Sequence, residues 1–244
     1  MGIKEAFRRV IGIAYLESRW IKRQPLWIVQ GLVAGIGFIF ILFAWGSTEA
    51  LRNLIVAYVI AGSWGLGLNI IAQAIGWART LGEYEWYVAS PITLYDYFLG
   101  TVLGTMPFLL SNIIPAIILA VILNISLVRF LALMSLMPIS LLIGMFLSLS
   151  IILRIRSPTN ISAITNPLYT ATTILPPVYY PLSILPKEIR FVCLAIPTTS
   201  LTELGKWIML GRTTIPIQYS LASILIWIII LMLVIKQKLR WGLE

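Results

Sequence analysis

Few side chains in this sequence could do chemistry, and they are not spaced as an active site. Histidine is absent from the 244 residues and cysteine occurs once, at Cys193. The commonest general base, the commonest metal ligand and any intramolecular disulfide are therefore missing together. No serine or cysteine nucleophile can be paired with a histidine, and no Gly-x-x-x-x-Gly-Lys-Ser/Thr run exists to cradle ATP phosphates. Glu83, Glu85 and Asp96 could hold a metal in an enzyme acting on lipid headgroups. Carboxylates interleaved with Tyr84, Trp86 and Tyr87 better suit docking into a groove on a soluble protein. The sequence predicts no metal and no catalytic residue.

The elements that must position these residues are membrane helices. The chain is 59% hydrophobic and only 11% charged, whereas a soluble domain carries roughly 25% charged residues. Most of its surface must therefore face something other than water. The runs 26–45, 53–78, 97–123, 130–153, 158–180 and 215–235 contain no Asp, Glu, Lys or Arg. Each can cross a hydrocarbon core of about 30 Å, which predicts an all-α membrane protein of six spans in one domain over residues 1–244. The second and third runs exceed the core and must tilt or extend into water. The fifth holds Thr165, Asn166, Pro167, Thr170, Thr172, Thr173, Pro176 and Pro177, so it should be kinked and face other helices or a cavity rather than lipid.

Residues 3–23 read differently. On a helix, Ile3, Phe7, Val10, Ile11, Ala14 and Ile21 share one face, and Lys4, Arg8, Arg19, Lys22 and Arg23 another. That pattern predicts an amphipathic helix in the membrane interface, ended by Pro25. No short apolar stretch with a small-residue cleavage site opens the chain, so no removable signal peptide is expected. The basic balance, 18 Lys+Arg against 9 Asp+Glu, follows topology and anionic headgroups rather than nucleic acid. Cations crowd the leader, the connection at Arg154 and Arg156, and the tail at Lys236, Lys238 and Arg240, which places both termini in the cytoplasm. The stretch 181–214 would then be external although it holds Lys187, Arg190, Lys206 and Arg212.

Two segments between spans could carry function. Residues 79–92 concentrate acids and aromatics, with Ser90-Pro91 able to start the next helix; the alternative is an interfacial aromatic belt. Residues 176–203 are broken by prolines into short helices that could re-enter the membrane, a re-entrant segment over 181–212; the alternative is an ordinary loop. Within the spans, Asn69 and Gln73 lie four apart on one helix face. With Asn166, Thr170 and Thr173 they could line a transport path, or they could simply bond between helices.

The order of these elements resembles the ABC-2 type transporter permease family. Thr80–Ile92 is similar to that family's Gly-Thr-Leu-Glu…Ser-Pro-Ile coupling segment, with Leu81-Gly82-Glu83 in place of its opening. Tyr180-Pro181-Leu182, Leu185-Pro186, Ile189-Arg190 and Pro197-Thr198 resemble its outer Phe-Phe-Pro-Leu…Leu-Pro…Leu-Arg…Asn-Pro-Leu-Thr run. The likeness extends over nearly the whole chain, the leader standing as the connecting helix. It implies a homodimer or heterodimer of six-span permease subunits in the cell membrane, joined to ABC ATPase subunits that bind ATP and Mg²⁺. Gly82, Glu83, Tyr84, Glu85, Trp86 and Tyr87 would couple to the ATPase, and Tyr179, Tyr180, Pro181 and Leu182 would form an outer gate. The expected work is export of a hydrophobic or amphipathic molecule such as a drug, a lipid or a lipid-linked glycan. The alternatives are a secondary carrier or channel without an ATPase, and a membrane enzyme or scaffold.

Overall fold

A computed structural model describes residues 3–45 and 48–238. They form helices α1 (Ile3–Arg23), α2 (Leu26–Trp45), α3 (Thr48–Thr80), α4 (Glu83–Val88), α5 (Leu94–Ile122), α6 (Leu127–Ile152), α7 (Pro158–Thr173), α8 (Lys187–Leu194), α9 (Pro197–Leu210) and α10 (Ile217–Lys238), with no strand among the described residues. Helices α2, α3, α5, α6 and α10 are long and apolar enough to cross a membrane, as a multi-pass membrane protein requires. Lys238, at the end of α10, has a described backbone, and Arg240 lies outside the described residues.

Helix α3 is the axis of the bundle. Its most apolar window is 83% buried, against 6% for α2 and 17% for α10, so α3 is wrapped by protein while the other two lie at the periphery. At 33 residues it is about 50 Å long and overshoots the hydrocarbon core, as its sequence predicted. Two apolar clusters stack along it. One gathers around Leu51–Trp64, the other around Ile71 and Ile75, and they change over near Leu66 and Leu68. At that level the α3 ladder loosens into a π-helical turn, Leu66–Ile71. Backbone meets backbone there. A Cβ on Gly67 would lie 2.1 Å from the Leu141 carbonyl oxygen, and one on Gly144 would lie 2.8 Å from that of Trp64. Only hydrogen side chains permit so close a crossing of α3 and α6.

The leader does form one helix over Ile3–Arg23, but it does not lie alone. Arg9 Nε bonds Asp96 Oδ2 at 2.6 Å, Gly100 sits under Ile13, Gly104 under Glu17, and Trp20 stacks on Phe108 at 4.9 Å. The registers advance together, so α1 runs parallel to the first half of α5. The pairing continues past both helix breaks. Gly31 of α2 faces Ser111 and Gly35 faces Pro115. The chain breaks at Gln24–Pro25 on one side and at the 3₁₀ turn Met106–Leu109 on the other. The expected single apolar stripe of α1 is consequently split. Of its members Ile21 is buried against protein while Phe7 and Ile11 stay exposed; outside it, Ile13 is buried and Tyr15 and Leu16 are exposed, an apolar surface suited to the interface.

Candidate functional site

The short helix α4 begins where Gly82 takes a left-handed conformation, φ 77°, which glycine adopts without the clash a Cβ would bring. Its six residues divide into two faces. Tyr84 and Tyr87 turn inward onto the fully buried Tyr97 ring, at centroid distances of 5.8 and 4.9 Å. Glu83, Glu85 and Trp86 turn outward, and Trp86 is 78% exposed. An aromatic clamp thus holds the helix at the end of α3 and α5 while its acids and indole stay free. Below it, burial and then the nearby Glu83 carboxylate push Glu17 above the ordinary carboxylate value of 4.5. Burial, followed by Glu17 and Glu83, pushes the Tyr87 phenol up as well.

Helix α7 packs antiparallel along α3 through a polar seam. Trp77 Nε1 donates to the Pro158 carbonyl at 3.2 Å, Gln73 Nε2 to Thr165 Oγ1 at 2.5 Å, and Trp64 Nε1 to Thr172 Oγ1 at 2.9 Å. Gly65 makes room for the Tyr169 ring. The five polar residues proposed as a path are therefore not one group. Gln73 is engaged within the seam, and Thr173 is buried with its hydroxyl donating to the Tyr169 carbonyl. Asn69 lies in the π turn with its Oδ1 buried and unpartnered among the described residues. Asn166 and Thr170 lie on the other face of α7, exposed beside Asn160, Ala163 and Pro167.

The helix stops at Thr173, short of the expected 158–180 run, because Pro176 and Pro177 cannot continue it. In the segment that follows, Tyr180 donates to the Leu175 carbonyl at 2.6 Å, Tyr179 meets Phe38 edge-on at 5.7 Å, and Leu182 is buried with Leu194 and Ile215. Pro181, half-buried, leads into the 3₁₀ turn at Leu182. Arg190 folds back onto the carbonyls of Leu185 and Ser183, at 2.7 and 2.6 Å.

Helix α9 then takes up the position along α3 that α7 leaves. The Thr198 hydroxyl donates to the Thr172 carbonyl, and Gly205 sits against Val56. Thr198, Thr199, Ser200, Thr202, Glu203 and Lys206 of α9 are all buried. Lys206 Nζ lies 3.0 Å from Glu203 Oε1, and the Thr214 amide donates to Glu203 Oε2 at 2.9 Å. In the sequence these two charges fall in the segment 181–212, expected to be external and re-entrant. Their three-residue spacing within an otherwise neutral, threonine-rich helix was the available signal, since such a pair shares a helix face.

No protein-family model and no curated protein matches the chain.

Proposed function

We propose that this chain is the membrane-embedded permease subunit of an ATP-driven exporter of the ABC-2 type, moving a hydrophobic or amphipathic molecule across the cell membrane. The observation that carries the proposal is the mounting of α4. A six-residue helix is clamped by Tyr84 and Tyr87 onto Tyr97 at the end of the most buried helix, while Glu83, Glu85 and Trp86 project outward. A helix so held can deliver a push from a soluble ATPase into the core instead of absorbing it. On this view that end is cytoplasmic, with both termini on the same side.

Six crossings are completed if α7 and α9 share one between them, end to end along α3, with 174–196 as the re-entrant break. The polar, exposed face of α7 at Asn166 and Thr170 would be costly against hydrocarbon. It suits the wall of a conduit shared with a second copy. Tyr179–Leu182 would close the outer end. ATP and Mg²⁺ belong to the partner subunit.

One feature favours a secondary carrier instead: Glu203 and Lys206 form an ionisable pair inside the bundle. Both Glu203 oxygens are bonded, so cycling a proton there would require breaking the fold locally.

The test is gentle purification of the full chain from its host. An ABC ATPase should travel with it, and Glu85→Ala combined with Trp86→Ala should weaken its binding roughly thirtyfold, the loss of a hot-spot residue being worth about 2 kcal/mol, without changing the melting temperature. Unaltered recovery would remove the docking role. Uphill transport by this chain alone, in nucleotide-free vesicles with an ion gradient, would overturn the exporter assignment.

A further inference from the structure

The end of the bundle opposite α4 carries an unexpected charge cluster. Positively charged residues gather on the cytoplasmic side of membrane proteins, yet Arg52, Arg129 and Arg212 lie at the other end. They come from three distant parts of the sequence and line one cavity of about 620 Å³, within the range of small-molecule sites.

Two tight helix ends build its walls. Helix α5 closes on Asn124 in the left-handed conformation, φ 51°. The Asn124 amide returns to Val121 and the Ile125 amide to Ala120, at 3.1 and 2.9 Å, the Schellman arrangement. That reversal delivers Ser126, which caps the start of α6 by accepting from the Arg129 amide, and so fixes where the Arg129 side chain begins. Helix α9 closes on Gly211, φ 70°, and Arg212 follows at once. Leu123, Ile125, Met209 and Leu210 supply the apolar part of its lining.

The charges do not cancel within the cluster. Arg212 Nη2 lies 3.0 Å from Glu49 Oε1. Arg52 and Arg129 have no carboxylate partner among the described residues. Two guanidinium groups therefore line one cavity with no carboxylate paired to either among the described residues. Guanidinium forks match phosphate oxygens in pairs, and the apolar side chains of the lining suit the carbon skeleton to which a phosphate is esterified.

We infer that this cavity is a binding site for a phosphate monoester or diester, held by Arg52 and Arg129 with Arg212 at its rim. Two sources share that chemistry: the headgroup of an anionic phospholipid, and a water-soluble phosphate ester. The inference requires only the cavity and does not depend on the exporter assignment.

The experiment titrates the purified full chain, in neutral detergent with phosphatidylcholine, against two probes. One is phosphatidylglycerol, read by native mass spectrometry as lipid retained. The other is glycerol 3-phosphate, read as a rise in melting temperature and as competition with the lipid. Arg52→Gln and Arg129→Gln should each weaken binding roughly tenfold, as loss of a charge-assisted bond of about 1.5 kcal/mol predicts. Arg156→Gln, at the opposite end, should leave it unchanged. Arg52→Lys should recover part of the binding, since the charge remains without the fork. Retention of phosphatidylglycerol that glycerol 3-phosphate does not displace identifies the lipid source, and displacement identifies the soluble one. Failure of both probes to bind, or equal binding by the natural chain and both glutamine variants, would overturn the site. So would an equal loss in Arg156→Gln. These exposed substitutions should not affect folding, which an unchanged melting temperature without probe would verify.

Discussion

Helices α7 and α9 are alike in sequence and opposite in fate. Both open with proline, both are rich in threonine, and they meet where Thr198 bonds the Thr172 carbonyl. Helix α9 buries nearly every polar group it has, including a lysine and a glutamate that bond each other. Helix α7 buries one polar stripe against α3 and leaves Asn166 and Thr170 exposed on the other face. Helix α9 thus keeps its polar groups inside the fold, with its charged pair bonded and the Thr199 and Thr202 hydroxyls buried without a partner among the described residues, whereas α7 presents two of its own outward. Exposure of polar groups at the level of the spans suits a protein contact or a water-filled path better than lipid.

The sharpest way to break this contrast is to strand one member of the buried pair. Glu203→Ala leaves Lys206 charged, buried and unpartnered, and should cost about 3–5 kcal/mol, seen as a large drop in melting temperature in detergent. The double change Glu203→Gln with Lys206→Met should recover most of it. If the single variant melted normally, α9 would not be the buried strut described here.

A smaller effect is expected on α7. Asn166→Leu and Thr170→Val should move stability by no more than about 0.5 kcal/mol, because neither side chain bonds another helix among the described residues. They should nonetheless abolish or redirect the transport proposed for this chain, measured in vesicles that contain the ATPase proposed as its partner. A large loss of melting temperature would place those residues in the chain's own packing instead.

The smallest effect concerns an acid without the pairing that Glu203 enjoys. Glu17 is held above its ordinary 4.5 by burial and by Glu83, so folding favours its protonated form. Its stabilising contribution is present below that ordinary value and is lost as pH rises through the raised one. The melting temperature should therefore fall as pH climbs from below 4.5. In Glu17→Gln, which has no charge to suppress, that component should vanish.

Much of the scaffold was legible in the residues. Uncharged runs marked the five long apolar helices because charges are too costly there, and Pro25 marked the end of α1. The site was less legible. Gln73 and Asn166 look equivalent in sequence, yet one meets Thr165 while the other faces outward. Helical periodicity says which residues share a face, not which face meets a neighbour. The stretch 181–214 showed only as an amphipathic, proline-broken segment, because burial of Glu203 depends on Lys206 and on the Thr214 amide arriving together.

Composition and spacing alone determined that this chain is helical, that it belongs in a membrane, and that it holds no histidine and a single cysteine. The first two properties follow from the cost of placing each side chain in water or hydrocarbon, a cost each residue carries with it. The tertiary structure alone decided that Arg52, Arg129 and Arg212 share a cavity, that α7 and α9 follow one another along α3, and that α4 rests on Tyr97. Each depends on groups far apart in the chain meeting at a few ångströms, and no local pattern encodes such a meeting.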